Sequence, residues 1–97
     1  MPSTATRLVL VRHASTIWNR DNRYQGQSDV PLDETGRQEA RQLAPRLAEL
    51  APASAYTSDL VRCRETVELA LSHQPVPIFI DPRLREAHYG QWEGMTR

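Results

Sequence analysis

The stretch Arg7-Leu8-Val9-Leu10-Val11-Arg12-His13 does most to restrict what this chain can become. Its apolar β-formers follow one another without a break and stop at an Arg-His pair. A short continuous apolar run bounded by polar residues reads as a strand buried on both faces, the kind found in parallel sheets. In open α/β sheets, ligands bind just outside the carboxyl ends of the strands. Arg12 and His13 stand at such an end, a fixed cation beside a nucleophile or base.

The rest of the chain alternates. Residues 1–6 read as a disordered lead-in and 7–97 as one domain, with the first strand over 7–12. Residues 13–33 are polar and without a sustained period, apart from one helical turn near Ser15–Asn19. A loop of this length is more often functional than idle, and it starts where it can fold over His13. Asp33 reads as a helix N-cap. Ala40, Leu43, Ala44, Leu47, Ala48 and Leu50 keep helical spacing, while Pro45 should kink or split that helix. Ala53–Thr57 reads as a second strand, and Ser58 as the N-cap of a second long helix. The buried stripe expected there is Leu60, Cys63, Val67, Ala70 and Leu71. Val76–Ile80 reads as a third strand, followed by irregular polar chain. Helices between strands imply crossover connections and a parallel sheet. The Arg12-His13 and Tyr56-Thr57-Ser58 corners should then share one edge.

With 97 residues the chain is one small domain or part of one. Its 12 basic residues balance 12 acidic ones, so no global charge draws it to nucleic acid or membranes and any positive field is local. All the basic residues are Arg. Most read as compositional bias, but the planar fork of Arg also suits an oxyanion site. The lone Cys63 excludes an internal disulfide, and six residues on, where a tyrosine-phosphatase loop needs Arg, stands Leu69. No apolar run is long enough to span a bilayer, and Met1–Thr6 has no signal-peptide pattern, so a cytoplasmic location is expected. The scattered His residues lack metal-ligand spacing.

Arg12, His13, Asn19, Arg62 and Glu86 carry the chemistry. Arg62 belongs to the first turn of the helix after the second strand, and Glu86 follows the third. Two Arg, one His and one carboxylate at one edge suit phosphoryl transfer. The Arg pair neutralises the phosphoryl oxygens, His13 attacks phosphorus, and the carboxylic acid protonates the leaving oxygen. Neighbouring Arg charges would keep His13 neutral, the form that attacks.

These residues resemble a known family. Val11-Arg12-His13-Ala14-Ser15-Thr16-Ile17-Trp18-Asn19 is similar to the signature of the histidine phosphatase (phosphoglycerate mutase-like) superfamily, usually Arg-His-Gly followed by Trp-Asn. The likeness continues through Tyr24–Leu32, Thr35–Ala40, Tyr56–Thr66 and Leu84–Gly94. It implies an α/β fold, a three-layer αβα sandwich with a mostly parallel sheet. It makes His13 the phosphohistidine residue, Arg12 and Arg62 the phosphoryl holders, and Glu86 the acid/base. Asn19 lines the pocket, with Ser15, Thr16, Gln25 and Gly26 as further substrate contacts. The resemblance implies no metal or organic cofactor, except that some mutases of the family need a bisphosphorylated primer. Gly90-Gln91-Trp92-Glu93-Gly94-Met95-Thr96 resembles the phosphatase branch, and Glu86–Gly90 is partly mutase-like.

Two departures stand out. Ala14 replaces the usual Gly after His, and its methyl should be tolerated. The family's second catalytic His has no counterpart, since His73 and His88 lack its context. The expectation is therefore the N-terminal half of the fold, truncated at its C-terminal side. Such a half alone should be poorly stable or oligomeric, or should pair with the missing half, because it leaves sheet edges and apolar faces bare. The expected function is hydrolysis of small phosphorylated metabolites through phosphohistidine. The alternatives are a phosphoglycerate mutase, or an inactive fragment acting as a regulatory partner.

Overall fold

The computed structural model describes residues 6–97. The expected lead-in lies outside that range except for Thr6. Just past the Arg-His corner comes a single helical turn, α1 (Ile17–Arg20). Thr16 caps it, and Asn19 returns its side chain to the Thr16 N–H in a reciprocal capping box. Next, α2 (Glu34–Gln42) opens as expected at Asp33, whose carboxylate accepts the Gly36 N–H at 2.7 Å. Pro45 then splits the helical stretch. Leu43 bridges the break, and α3 (Ala44–Leu50) resumes with Pro45 in its first turn, where no N–H is needed. Ala51, at φ 47°, ends α3 in a left-handed conformation.

The strands β1 (Ala55–Thr57) and β2 (Ile78–Ile80) pair in parallel, with Ala55 opposite Ile78 and Thr57 opposite Ile80. The helix α4 (Val61–Ala70) connects them. Of the expected alternation, the unit from β1 through α4 to β2 and its parallel pairing are therefore present, with shorter strands than the apolar runs suggested.

Two local expectations are corrected. Residues 7–12 form no strand, and Leu8 and Leu10 are 78% and 85% exposed rather than buried. Apolar β-formers favour a sheet interior, but a ladder needs a neighbour. Among the described residues β1 and β2 pair only with each other, so the sheet has two strands instead of three. Ser58 is also not the N-cap of α4. Asp29 from the polar loop accepts the Val61 N–H at 2.7 Å, while Asp59 is drawn off by Arg85, whose Nε lies 2.6 Å from its carboxylate.

The core lies between helices. Ala14, Leu32 and Ala40 form one cluster, against which Leu69 packs. Leu47, Ala70 and Leu71 form a second, covering the inner side of β1 and β2 through Ala55 and Ile78. Full burial of a Leu such as Leu32 is worth roughly 2 kcal/mol. On α4 the buried line is Arg62, Thr66 and Ala70, four residues apart. The expected stripe is thus rotated: Leu60, Ala70 and Leu71 are buried, but Cys63 and Val67 only half so. The most enclosed face of α4 carries polar groups.

Gly36 lets α2 approach the corner after His13. A Cβ there would overlap the Ser15 carbonyl oxygen and lie 2.9 Å from the Ser15 nitrogen. Backbone atoms cannot swing aside. Gly36→Ala is therefore expected to destabilise by about 2 kcal/mol, although helix propensity alone favours Ala by about 1 kcal/mol. The midpoint of urea unfolding measures this, and a raised midpoint would contradict the packing argument.

Candidate active site

The segment after Arg12 is stitched into place residue by residue. Ala14 N–H donates to Thr66 Oγ1 at 3.0 Å, and Ser15 N–H donates to Glu39 at 3.1 Å. Ser15 C=O accepts from Asp33 N–H at 3.1 Å. The Ala14 methyl packs with Leu32 and Ala40, so the departure from Gly fills the core. Ala14 is also not among the residues with positive φ.

His13 is oriented by its own neighbour. Its Nδ1 lies 2.7 Å from the Ala14 carbonyl oxygen. A carbonyl only accepts, so Nδ1 carries the proton and the Nε2 lone pair is free. Burial holds the imidazole below its usual 6.5, and the Arg62 and Arg12 guanidiniums add to this. Together they outweigh the Ala14 carbonyl and Glu86, which pull the other way. His13 therefore stays neutral at neutral pH. Below 6.5 the unfolded chain takes up this proton before the folded one does. Stability is thus expected to fall as pH drops from about 6.5 through the lowered value, with no such loss above it. An NMR titration of the His13 ring checks the direction, and a midpoint above 6.5 would contradict it.

Arg62 is fully buried, yet it is held by three acceptors. Its Nη1 donates to Ser28 C=O at 2.7 Å, and its Nη2 to Gly26 C=O at 2.5 Å and to the Glu86 carboxylate at 3.1 Å. Its Nε is buried without a partner. The loop supplying the carbonyls is fastened by Glu93. That carboxylate accepts from the Ser28 hydroxyl, from Gln27 N–H at 3.1 Å and from Tyr89 N–H at 3.1 Å. The Ser28 hydrogen bond chiefly, then the Gln27 and Tyr89 N–H groups, hold Glu93 below the usual carboxylate range. Gly26, at φ +54°, has no room for a Cβ, which would meet Glu93 and the Ala87 carbonyl. Glu65 is likewise engaged, by Leu32 N–H at 3.1 Å and Arg37 Nε at 3.2 Å. Of these three carboxylates, Glu86 alone lines the cavity beside His13.

That cavity, of about 330 Å³, is lined by Arg12, His13, Asn19, Gln25, Arg62 and Glu86, with Val11, Cys63, Leu84 and Arg97. The corner after His13 and the first turn of α4 thus meet at one site. Ser15, Thr16 and Gly26 do not line it. Ser15 Oγ lies 3.4 Å from Asp33. Thr16 is buried and donates to Gln25 Oε1 at 2.7 Å, which steadies Gln25. Gly26 meets Arg62 through its carbonyl alone. His88 faces outward beside Glu93, and neither it nor His73 reaches the cavity. Tyr24 packs on Tyr89 and Trp92, with ring centroids 5.2 and 5.7 Å away.

Sequence reasoning missed Arg97. Its guanidinium lies 5.3 Å from the Tyr24 ring centroid, and its N–H donates to Asn22 C=O at 2.8 Å. Nothing in the local pattern signals this, because the contact spans most of the chain. Three guanidiniums thus face the cavity against one carboxylate, a local excess suited to a phosphate dianion. Among the described residues there is no cluster of groups able to hold a metal ion. No helix among the described residues is long and apolar enough to cross a membrane.

An α/β chain with Arg-His at a loop corner and a buried Arg paired with a half-buried Glu beside it belongs to a defined class. Residues 8–97 match the family model of the histidine phosphatase superfamily (branch 1), and the chain belongs to that family. It is 44% identical over 93 residues to 2,3-bisphosphoglycerate-dependent phosphoglycerate mutase 2 of Gloeobacter violaceus, covering 93% of this chain and 42% of that protein. It is 42% identical over 90 residues to glucosyl-3-phosphoglycerate phosphatase of Mycolicibacterium vanbaalenii, covering 93% of this chain and 40% of the relative. Among solved structures it resembles YhfR of Bacillus stearothermophilus, with TM-score 0.83, 46% identity, and 89% and 43% of the two chains covered. It also resembles a mycobacterial glucosyl-3-phosphoglycerate phosphatase in complex with VO3, with TM-score 0.83, 36% identity, and 88% and 42% covered. The fold is therefore of the phosphoglycerate mutase-like α/β kind. The chain spans about two fifths of the length of these relatives.

Proposed function

We propose that this chain carries the nucleophile side of a phosphatase that hydrolyses small phosphomonoesters through a phosphohistidine on His13. The observation that carries the reading is the His13 Nδ1–H bond to Ala14 C=O, which leaves Nε2 as a lone pair in a cavity with Arg12, Arg62 and Glu86. Nε2 attacks phosphorus and the P–O bond to the substrate alcohol breaks. Glu86, protonated, gives its proton to the leaving oxygen. Water then attacks the phosphohistidine, Glu86 takes its proton back, and inorganic phosphate leaves with His13 restored. Arg12 and Arg62 offset the charge on the phosphoryl oxygens in both steps. Asn19 and Gln25 line the same cavity and suit polar contacts to the substrate. The proposed partner is a small phosphorylated metabolite, and a cavity of about 330 Å³ suits that size. VO3 in the solved mycobacterial relative supports an oxyanion site.

The second reading is a mutase, favoured by the 44% identical relative that bears that name. Both readings require phosphate on His13. Brief exposure of the complete gene product to a labelled phosphomonoester, followed by denaturation, should leave label on that ring. Label on another side chain would sink both readings. Release to water rather than to a second phosphoglycerate hydroxyl would separate the phosphatase from the mutase.

A further inference from the structure

On α4 a hydroxyl sits where a hydrocarbon would pack as well. Thr66 is 4% exposed and follows Arg62 by one turn on the buried face. Its Oγ1 donates to the Arg62 carbonyl at 2.7 Å, the usual bond of a helical Thr to the preceding turn. The same oxygen accepts the Ala14 N–H at 3.0 Å, from a residue 52 positions away. With its proton given to Arg62, the hydroxyl faces Ala14 with lone pairs, so the direction of both bonds is settled.

Ala14 passes the constraint on. Its N–H is held by Thr66, and its C=O accepts from His13 Nδ1 at 2.7 Å. Both backbone groups of one residue are thereby committed, one to α4 and one to the imidazole. Without the hydroxyl, the Ala14 N–H would be buried unpaired and the His13–Ala14 peptide would turn to find another acceptor. The Ala14 C=O lies on the next peptide, whose Ser15 N–H is held by Glu39, so that turn would swing His13 away from a carbonyl that stays in place.

We propose that Thr66 is a positioning residue whose hydroxyl joins the Arg62 turn to the peptide that links His13 to Ala14. It touches no substrate. A single joint then sets both the direction of the nucleophile and its distance from the buried guanidinium. The inference rests on His13 being the nucleophile.

The test compares Thr66→Val, which keeps the shape and loses the hydroxyl, with Thr66→Ser, which keeps the hydroxyl. Both are made in the complete gene product. Nitrogen-15 NMR reports which ring nitrogen of His13 holds the proton, and kinetics report kcat and KM separately. Thr66→Val is expected to reduce the Nδ1–H form and to lower kcat by about tenfold to a hundredfold, with KM changed by less than about twofold. Thr66→Ser is expected to restore both. Wild-type tautomer and kcat in Thr66→Val would overturn the proposal, as would equal impairment of the two variants. Should Thr66→Val not fold, Thr66→Ala carries the same comparison. The tautomer measurement needs no turnover. A wild-type protein that forms no phosphohistidine would therefore remove the proposed function and still leave the joint decided.

Discussion

Replacing His13 with Ala in the complete gene product is expected to cut phosphate release by roughly four to six orders of magnitude, the usual loss when a covalent nucleophile is removed. The loss should fall on kcat and kcat/KM together, because the bond to phosphorus forms only along the reaction path. Substrate binding should survive, since Arg12, Arg62 and Asn19 still line the cavity. Stability should change little. His13 is only partly buried, and its bond to Ala14 joins adjacent residues, so about 1 kcal/mol is at stake. A collapse of activity with near-normal folding is what separates a nucleophile from a structural His. If the variant unfolds while the remaining folded fraction turns over normally, His13 is structural and the proposed chemistry fails.

Much of the scaffold around His13 is legible because its signals are local. Asp33 caps the helix beside it, Pro45 splits the next stretch, and the apolar runs near 55 and 78 become paired strands. The failures are all non-local. The run from Leu8 to Val11 has the composition of an inner strand, but composition cannot supply the neighbours that make a ladder. The cap of α4 comes from Asp29, 32 positions before the N–H it satisfies. Glu93 stands in the same Leu84–Gly94 stretch as Glu86, yet its oxygens are taken by Ser28 and the backbone of Gln27 and Tyr89. Thr66 passes for a helix filler until the Ala14 N–H is found on its hydroxyl. Family motifs bring His13, Arg62 and Glu86 to attention, but only the folded chain reveals which groups hold them.

Arg62→Met is expected to injure folding and catalysis at once. Methionine fills similar space and has no donors. The Gly26 and Ser28 carbonyls lose their shared partner, and Glu86 loses its cation. Removing one member of a buried pair costs about 3–5 kcal/mol. The lower figure applies here, because Glu86 is 36% exposed and water can reach it. Chemical denaturation of the complete gene product checks this. Catalysis should fall by about 10²–10³-fold, the usual effect of deleting one donor from a site that binds developing oxyanion charge. Arg62→Lys separates the two roles. An ammonium keeps the charge near phosphate, but it is a point donor without the fork that spans two carbonyls and a carboxylate. It should recover part of the stability and little of the rate, since the loop from Gly26 to Ser28 would no longer be held at both carbonyls. Equal stability and activity in Arg62→Met and the wild type would mean that neither the loop nor the phosphoryl group depends on this guanidinium. Lys at full activity would mean that charge alone, and not the fork, is what the site requires.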